Sequence, residues 1–279
     1  MLVDFIFLAV FYVFLSPLLG MPFYNKLLFF PFDSSEDVSG VLNQLETQTH
    51  AKRFVVNIAT ASGQTLNGWY FKAPGASKVF VVSHGNGGNI KHRILLSYLL
   101  LKCGANVLVY DYEGFGSSTG APSVSAIKED GLAAYDYAHK QLGYKPEDII
   151  AYGESLGSGV ASYIAQNRKV AGVVFQSGFS SLSSAAKTRL PWMNLYPPIA
   201  FANIEMDNLS YVRGPHPPVL LVHGADDVVL PVWHSDTMFA QASQPTKYVK
   251  IKGAGHNDAI SLDARLFATT MQSFVQSLP

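Results

Sequence analysis

Four side chains of this sequence have the types and spacing that nucleophilic hydrolysis requires. Ser155 lies at the centre of the pentapeptide GESLG, residues 153–157. A serine hydroxyl is a poor nucleophile unless a neighbouring base takes its proton, and His256 is the candidate base. The base in turn needs a carboxylate that holds its tautomer, for which Asp226 and Asp227 are both candidates. The chemistry predicted by this set is acyl transfer through a covalent serine intermediate.

The segments around Ser155 are those expected to hold a nucleophile in a sharp turn. Residues 148–152 form a short apolar run with strand character, and residues 158–167 have the pattern of a helix. A serine flanked by glycines at both second neighbours, between a strand and a helix, is typical of a nucleophile elbow. Because glycine has no Cβ, the neighbouring backbone can pack closely against this turn.

The candidate acid and base also follow strands. Residues 219–222 predict a strand that ends just before Asp226 and Asp227, and His256 follows a predicted strand at 247–251. The order serine, aspartate, histidine along the chain differs from the orders in chymotrypsin and subtilisin. The carboxyl ends of parallel strands meet at one edge of a sheet, so we expect these side chains to lie together.

A glycine-rich loop follows another predicted strand. The sequence HGNGGN, residues 84–89, comes after the strand 78–83 and before a helix. A backbone N–H of this loop could stabilise a developing oxyanion together with the N–H of Leu156. Glycines before a helix could instead bind a phosphate, but no Gly-Lys-Ser/Thr follows here. We interpret His84 as a structural loop residue rather than as a second base.

The remaining pattern predicts an α/β fold, because near-continuous apolar strands alternate with helices. Eight strands are expected, the first two forming a hairpin: 53–60, 64–72, 78–83, 106–110, 148–152, 170–175, 219–222 and 247–251. Five helices are expected, at 90–102, 123–142, 158–167, 232–241 and 258–278. These elements predict a mostly parallel eight-stranded sheet with helices on both faces.

One long interruption breaks this alternation. Residues 176–216 are rich in Pro, Ser, Trp and Tyr, and they follow the strand after the nucleophile helix. An insert at this point would lie above the carboxyl edge of the sheet, where ligands bind in open α/β sheets. We interpret it as a short lid-like insert, and an ordinary packed excursion is the alternative. The main domain is expected to span residues 51–279, with residues 27–50 as a connecting segment.

The N-terminus carries no charge between residues 5 and 25. As a helix, Phe5–Phe23 would span roughly 28 Å, close to the thickness of a bilayer's hydrocarbon core. We therefore predict a single-pass membrane anchor at residues 1–26, with a helix packed on the domain and a cleaved signal peptide as alternatives. Lys26, Lys52 and Arg53 follow the apolar run and Asp4 precedes it, which favours a cytoplasmic catalytic domain.

Composition excludes several other classes of protein. Lys plus Arg equals Asp plus Glu at 20 each, so the formal net charge is zero and no basic stripe predicts binding to nucleic acid. The single cysteine, Cys103, cannot form an intrachain disulfide and is expected to be a buried core thiol. No Cys-x-x-Cys or His-Glu-x-x-His spacing occurs, which argues against a zinc site.

Five motifs together resemble the α/β-hydrolase superfamily, nearest its membrane-anchored Bem46-like and ABHD17-like serine hydrolases. They are SHGN at 83–86, YDYEGFGSSTG at 110–120, GESLG at 153–157, HGADD at 223–227 and GH at 255–256. The resemblance covers roughly residues 50–279. The family commonly has Arg where Glu113 stands, so this chain reverses one charge, which we place near the mouth of the site.

The resemblance implies more specific roles than the residues alone do. The family's His-Gly-x-x-Asp pattern selects Asp227 over Asp226 as the acid, and its oxyanion loop selects the backbone N–H of Asn86 beside that of Leu156. Asp111 is expected to be structural. The implied activity is an esterase, thioesterase or lipase that uses Ser155, Asp227 and His256 and needs no cofactor or metal.

The expected substrate is a small molecule, a lipid or an S-acylated protein. A peptidase with the same three residues and a non-catalytic binding protein of the same fold remain the alternatives.

Overall fold

The computed structural model describes residues 10, 12–19, 21–32, 35–204 and 206–279. The strands are β1 (Phe30–Pro31), β2 (Lys52–Ala59), β3 (Thr65–Lys72), β4 (Val79–Ser83), β5 (Gly87–Gly88), β6 (Asn106–Tyr110), β7 (Ile149–Glu154), β8 (Gly172–Gln176), β9 (Val219–Gly224) and β10 (Thr246–Ile251). The α-helices are α1 (Met21–Leu28), α2 (Ser39–Thr49), α3 (Ile94–Lys102), α4 (Val124–Lys140), α5 (Gly157–Asn167), α6 (Leu182–Arg189), α7 (Asn208–Arg213), α8 (Trp233–Gln241), α9 (Ala259–Leu262) and α10 (Ala264–Ser277).

Eight of the strands form one sheet in the order β10-β9-β8-β7-β4-β6-β3-β2. Only β3 runs opposite to the rest of the sheet, since it pairs antiparallel with β2 and β6 while every other pair is parallel. The predicted mostly parallel eight-stranded sheet is confirmed. Its interior strands are buried along their whole length, which is why they appear in the sequence as continuous apolar runs.

Helices cover both faces of the sheet. Alternate residues of each strand point to opposite faces, so Val81 packs in one apolar cluster and Val82 in the other. The first cluster contains buried residues of α4, α5 and α8, and the second contains those of α2, α3 and α10. The carboxyl edge of the sheet is thereby left for loops.

Three local features were not predicted. The segment between the N-terminus and β2 contains α2, which buries Leu42 and Leu45. The expected C-terminal helix is divided at Asp263, whose side chain accepts a hydrogen bond from Leu266 N at the start of α10. Finally, β1 and β5 form a separate parallel pair of two residues each.

The predicted membrane anchor at residues 1–26 is wrong. None of the helices in the described residues is both long enough and apolar enough to cross a bilayer. Helix α1 has eight residues, about 12 Å, against the roughly 30 Å of a hydrocarbon core. The prediction of a cytoplasmic side depended on this anchor and falls with it. Residues 1–9, where the predicted helix begins, lie outside the described residues.

The described part of this N-terminal segment packs on the domain. The Tyr12 and Tyr196 rings stack with their centroids 4.6 Å apart, and the Tyr24 hydroxyl donates to Leu15 O at 2.5 Å. The contact at Tyr196 agrees in part with the alternative of a helix packed on the domain, while Phe14 and Leu19 remain 69% and 59% exposed.

Cys103 is a buried free thiol, as predicted. Its Sγ donates to Leu99 O, and burial raises the pKa of the Cys103 thiol to about 12.

Asp130 is a buried carboxyl group next to Glu113. One of its oxygens accepts a hydrogen bond from Glu113 N, and the other has no partner within the described residues. Burial, together with the negative charge of Glu113, raises the pKa of Asp130 to about 7. The folded protein therefore holds a proton here between about pH 4 and pH 7 that the unfolded chain has released.

We expect Asp130→Asn to remove this pH dependence. In the wild type, Asp130 lowers the free energy of unfolding as the pH rises from about 4 to 7. Unfolding releases the proton that the folded state holds, and a higher pH favours that release. The variant should be roughly 2–4 kcal/mol more stable than wild type at pH 8 but only about 1–1.5 kcal/mol more stable at pH 5, because the unfolded carboxyl is already ionised at both pH values. Urea unfolding at both pH values measures the difference.

Asp136→Asn, on the same helix, is the matched control. The hydrogen bond with Arg168 lowers the pKa of Asp136, so this substitution should decrease stability at pH 8 by up to about 1 kcal/mol. Equal behaviour of the two variants would contradict the buried-proton explanation.

Candidate active site

Ser155 lies in a strained turn between β7 and α5. Its backbone φ is +52°, in the left-handed region that residues with a Cβ adopt at a cost. A Cβ at Gly153 would lie 2.2 Å from Gly157 O, and one at Gly157 would lie 2.0 Å from Ser83 O. Only glycine fits at these two positions, so the pentapeptide forms the sharp turn that its sequence predicted.

The structure brings Ser155, His256 and Asp227 into one hydrogen-bonded chain. His256 Nε2 lies 2.9 Å from Ser155 Oγ, and His256 Nδ1 lies 2.6 Å from Asp227 Oδ2. The carboxylate can only accept, so the Nδ1 proton points to Asp227 and Nε2 is left to accept from the serine hydroxyl. Asp226 is exposed and takes no part in this chain.

Both oxygens of the Asp227 carboxylate have hydrogen-bond partners. Its Oδ1 accepts hydrogen bonds from Val229 N at 2.8 Å and Leu230 N at 2.9 Å, and its Oδ2 lies 3.2 Å from His223 Nε2. Burial alone would raise the pKa of Asp227, but hydrogen bonds with His223 and His256 outweigh it and hold this pKa well below its usual value. Asp227 is therefore an anion near neutral pH.

His223 is a second histidine on Asp227 that the sequence did not indicate as a site residue. Its Nε2 donates to Leu230 O at 2.8 Å, and its Nδ1 lies 2.7 Å from Ser235 Oγ. Because both partners of Nε2 are acceptors, Nδ1 accepts from the Ser235 hydroxyl. The HGADD motif contained the signal, in that His223 and Asp227 are four residues apart at a strand end.

The two backbone groups expected at the oxyanion site are neighbours of Ser155. Asn86 and Leu156 line the same cavity as Ser155. Leu156 directly follows the nucleophile, and Asn86 lies in the loop after β4, the strand next to β7 in the sheet.

The cavity at Ser155 is largely apolar and has a volume of about 350 Å³. Its walls come from helix α1 and the residues after it, from the Asn86 loop, from the insert and from the loop after Asp227; they are formed by Tyr24, Leu27, Leu28, Phe30, Asn86, Val124, Ser155, Leu156, Phe179, Leu182, Ala185, Ala186, Arg189, Leu190, Met193, Val229 and Leu230. Residues of the insert at 176–216 thus line the same cavity as the nucleophile.

An ion pair beneath the elbow was also missed. Arg93 Nε and Nη2 donate to the two Glu154 oxygens at 2.9 and 3.1 Å, and Arg93 Nη1 donates to Gly87 O at 2.9 Å. Burial opposes the charged form of Glu154, but Arg93 prevails and lowers the pKa of Glu154. This pair joins the elbow to the glycine-rich loop. The two residues are 61 positions apart, so no local pattern could predict it.

The other polar residues singled out in the sequence are structural. Asp111 Oδ1 accepts from Ile90 N at 2.9 Å, and the buried His84 ring packs against Tyr112. Glu113 contacts Thr60 and Ser62 rather than the cavity, so its reversed charge does not lie at the mouth of the site. No cluster of His, Cys, Asp or Glu in the described ranges could hold a metal ion.

Comparison with known proteins agrees with this fold. Residues 78–205 match the family model described as the alpha/beta hydrolase fold. The structure is similar to that of an esterase of Pyrococcus furiosus, with a TM-score of 0.72 and 18% identity, over 90% of this chain and 98% of that one. The sheet order and the strand–turn–helix at Ser155 are thus those of an α/β-hydrolase fold.

Two proteins with similar sequences agree with this assignment. A protein of Mycobacterium tuberculosis that carries no functional name is 32% identical over 253 residues, covering 90% of this chain and 86% of that one. The alpha/beta hydrolase domain-containing protein 17B of Xenopus tropicalis is 32% identical over 189 residues, 67% of this chain and 62% of that protein. The chain belongs to the α/β-hydrolase superfamily.

Proposed function

We propose that this protein is a serine hydrolase that cleaves a carboxylic ester or thioester through an acyl-Ser155 intermediate. The observation that carries the proposal is the continuous chain from Ser155 Oγ through His256 to Asp227, open to an apolar cavity. On this proposal residues 51–279 are the catalytic domain and residues 176–216 are its lid.

The proposed reaction has two halves. In the first, His256 Nε2 takes the Ser155 proton while Oγ attacks the carbonyl carbon of the substrate. The resulting oxyanion accepts hydrogen bonds from the backbone N–H groups of Asn86 and Leu156. His256 then gives the proton to the leaving alcohol or thiol. In the second half, His256 takes a proton from water, the hydroxide attacks the acyl-enzyme, and the acid is released as Ser155 regains its proton.

The cavity indicates which part of the substrate is recognised. Its volume of about 350 Å³ is near the lower end of the range for small-molecule sites, and most of its wall residues are aliphatic or aromatic. We infer that it holds an acyl chain of moderate length, with the scissile carbonyl at Ser155.

A series of p-nitrophenyl esters from acetate to palmitate tests this proposal. We expect kcat/KM to rise with chain length by about threefold or more for each buried methylene, and to stop rising when the cavity is full. Matched peptide p-nitroanilides measure the peptidase alternative. Cleavage of the anilides with no cleavage of any ester would contradict the proposal.

Arg189 is expected to favour substrates with a negative charge. Among the described residues that line the cavity it alone is charged, and its exposed guanidinium makes no ion pair or hydrogen bond within the described ranges. Esters with a distal carboxylate should therefore be cleaved roughly 2–5-fold better, in kcat/KM, than neutral esters of equal length. Arg189→Gln should remove this ratio. Lys187→Gln, on the same helix but outside the cavity, should keep it.

A further inference from the structure

A segment before the hydrolase domain lies directly on the oxyanion loop. We call residues 24–32 the N-terminal strap. Phe30 N donates to Asn86 O, and Asn86 Nδ2 donates to Leu28 O, both at 2.8 Å. Farther along, Asn89 Nδ2 donates to Phe32 O at 2.8 Å. The strap therefore engages both the backbone and the side chain of Asn86.

The strap is itself fixed by the core. Tyr24 and Phe29 are 6% and 4% exposed, and the Phe29 ring packs edge-on against Phe115 with centroids 6.3 Å apart. Phe115 in turn contacts the ring of His84, at the base of the same loop. The buried Tyr24 and Phe29 side chains thus fix the strap on the core, so that its hydrogen bonds to Asn86 have a rigid base.

The loop that the strap contacts has little means of holding its own shape. Gly87 and Gly88 carry no side chains, and Gly88 has a φ of +78°, which residues with a Cβ rarely adopt. Its conformation is set from two sides, by the Arg93–Glu154 pair below and by the strap above. An oxyanion donor must be placed to within a fraction of an ångström to stabilise the transition state.

We propose that the N-terminal strap is a positioning element of the active site, which holds the Asn86 N–H at the oxyanion and forms one wall of the acyl cavity. This inference rests on the proposed function. Four strap residues, Tyr24, Leu27, Leu28 and Phe30, line the cavity beside Ser155. The strap therefore contributes to the rate through Asn86 and to the choice of acyl group through its own side chains.

Asn86→Ala tests the first contribution. It removes the side-chain bond to Leu28 O and keeps the backbone N–H. We expect kcat for p-nitrophenyl acetate to fall about 10-fold or more, with KM changed less than twofold and the rate of fluorophosphonate labelling reduced in parallel. Asn167→Ala breaks the same kind of bond, to Tyr163 O on an exposed helix end, and should change neither. Equal kcat in the two variants would overturn the positioning role.

A disulfide tests whether the strap stays in place during turnover. A Cβ built on Gly87 lies 4.0 Å from Phe30 Cβ, within the range that a disulfide spans. For the double variant Phe30→Cys, Gly87→Cys, we expect kcat of the oxidised form to equal or exceed that of its own reduced form. Loss of activity on oxidation, restored by dithiothreitol, would show that the strap must open and would overturn the proposal.

Leu28→Trp tests the cavity wall. We expect the ratio of kcat/KM for octanoate to kcat/KM for acetate to fall at least 10-fold. An unchanged ratio would show that the strap does not touch the acyl group. If the proposed function itself fails, the wild type will cleave none of these esters and Ser155 will not label, a result distinct from active variants with unaltered profiles.

Discussion

Ser155→Ala is expected to abolish both ester hydrolysis and labelling by a fluorophosphonate probe. This substitution removes only the hydroxyl group, whose Oγ lies 2.9 Å from His256 Nε2. No acyl-enzyme can then form, while the cavity stays intact. We expect kcat to fall by about 10⁴-fold or more, leaving only what binding and the oxyanion site provide. Gel fluorescence of the labelled protein and p-nitrophenyl ester turnover measure the two effects.

A serine elsewhere supplies the control. Ser125 is exposed on α4, and Ser125→Ala should label and turn over like the wild type. Labelling of folded Ser155→Ala at the wild-type level would show that another residue is the nucleophile.

A second substitution at this position separates strain from chemistry. Ser155→Gly should be as inactive as the alanine variant, yet about 1 kcal/mol more stable than it, because glycine adopts a φ of +52° without a Cβ penalty. Thermal unfolding of the two inactive variants measures the difference. If the alanine variant is the more stable, the turn is not strained as described.

Asp227→Asn is expected to lower kcat by about 10⁴-fold, with little change in KM. An amide facing His256 would donate to Nδ1, and the ring would then carry its proton on Nε2 and could no longer accept the proton of Ser155. The backbone amides of Val229 and Leu230 hold the other side-chain oxygen, so the amide nitrogen turns towards His256. Steady-state kinetics across the ester series measures this loss.

Asp226 provides the matched control at the adjacent position. It is exposed and makes no contact with His256, so Asp226→Asn should stay within about twofold of wild type. A large loss at Asp226 with none at Asp227 would reassign the acid.

Most of the sheet could be predicted from the sequence. The interior strands are buried on both faces, so each is a continuous apolar run such as Val79–Ser83 that local composition reveals. Because parallel strands end at the same edge, residues directly after those strands must meet there. That is why the sequence alone predicts that Ser155 and His256, 101 positions apart, lie at the same edge.

The supporting contacts could not be predicted, because they join residues that no periodicity relates. Arg93 meets Glu154 across 61 positions, and Asn86 meets Leu28 across 58. From the residues alone, both Asp226 and Asp227 remained candidates for the acid, since they follow the same strand. Only the direction of each side chain separates them, with Asp227 turned inward to His256 and Asp226 turned to solvent.

The N-terminus shows the same limit. The sequence shows that residues 5–25 are apolar and carry no charge, and this was enough to predict an anchor. It does not determine what the apolar side chains contact, since lipid and a protein cavity are equally free of polar partners. The sequence by itself therefore determined the sheet and the residues at its carboxyl edge. Only the tertiary structure decided that Tyr24, Leu28 and Phe30 line the cavity at Ser155, because that depends on where a short segment packs.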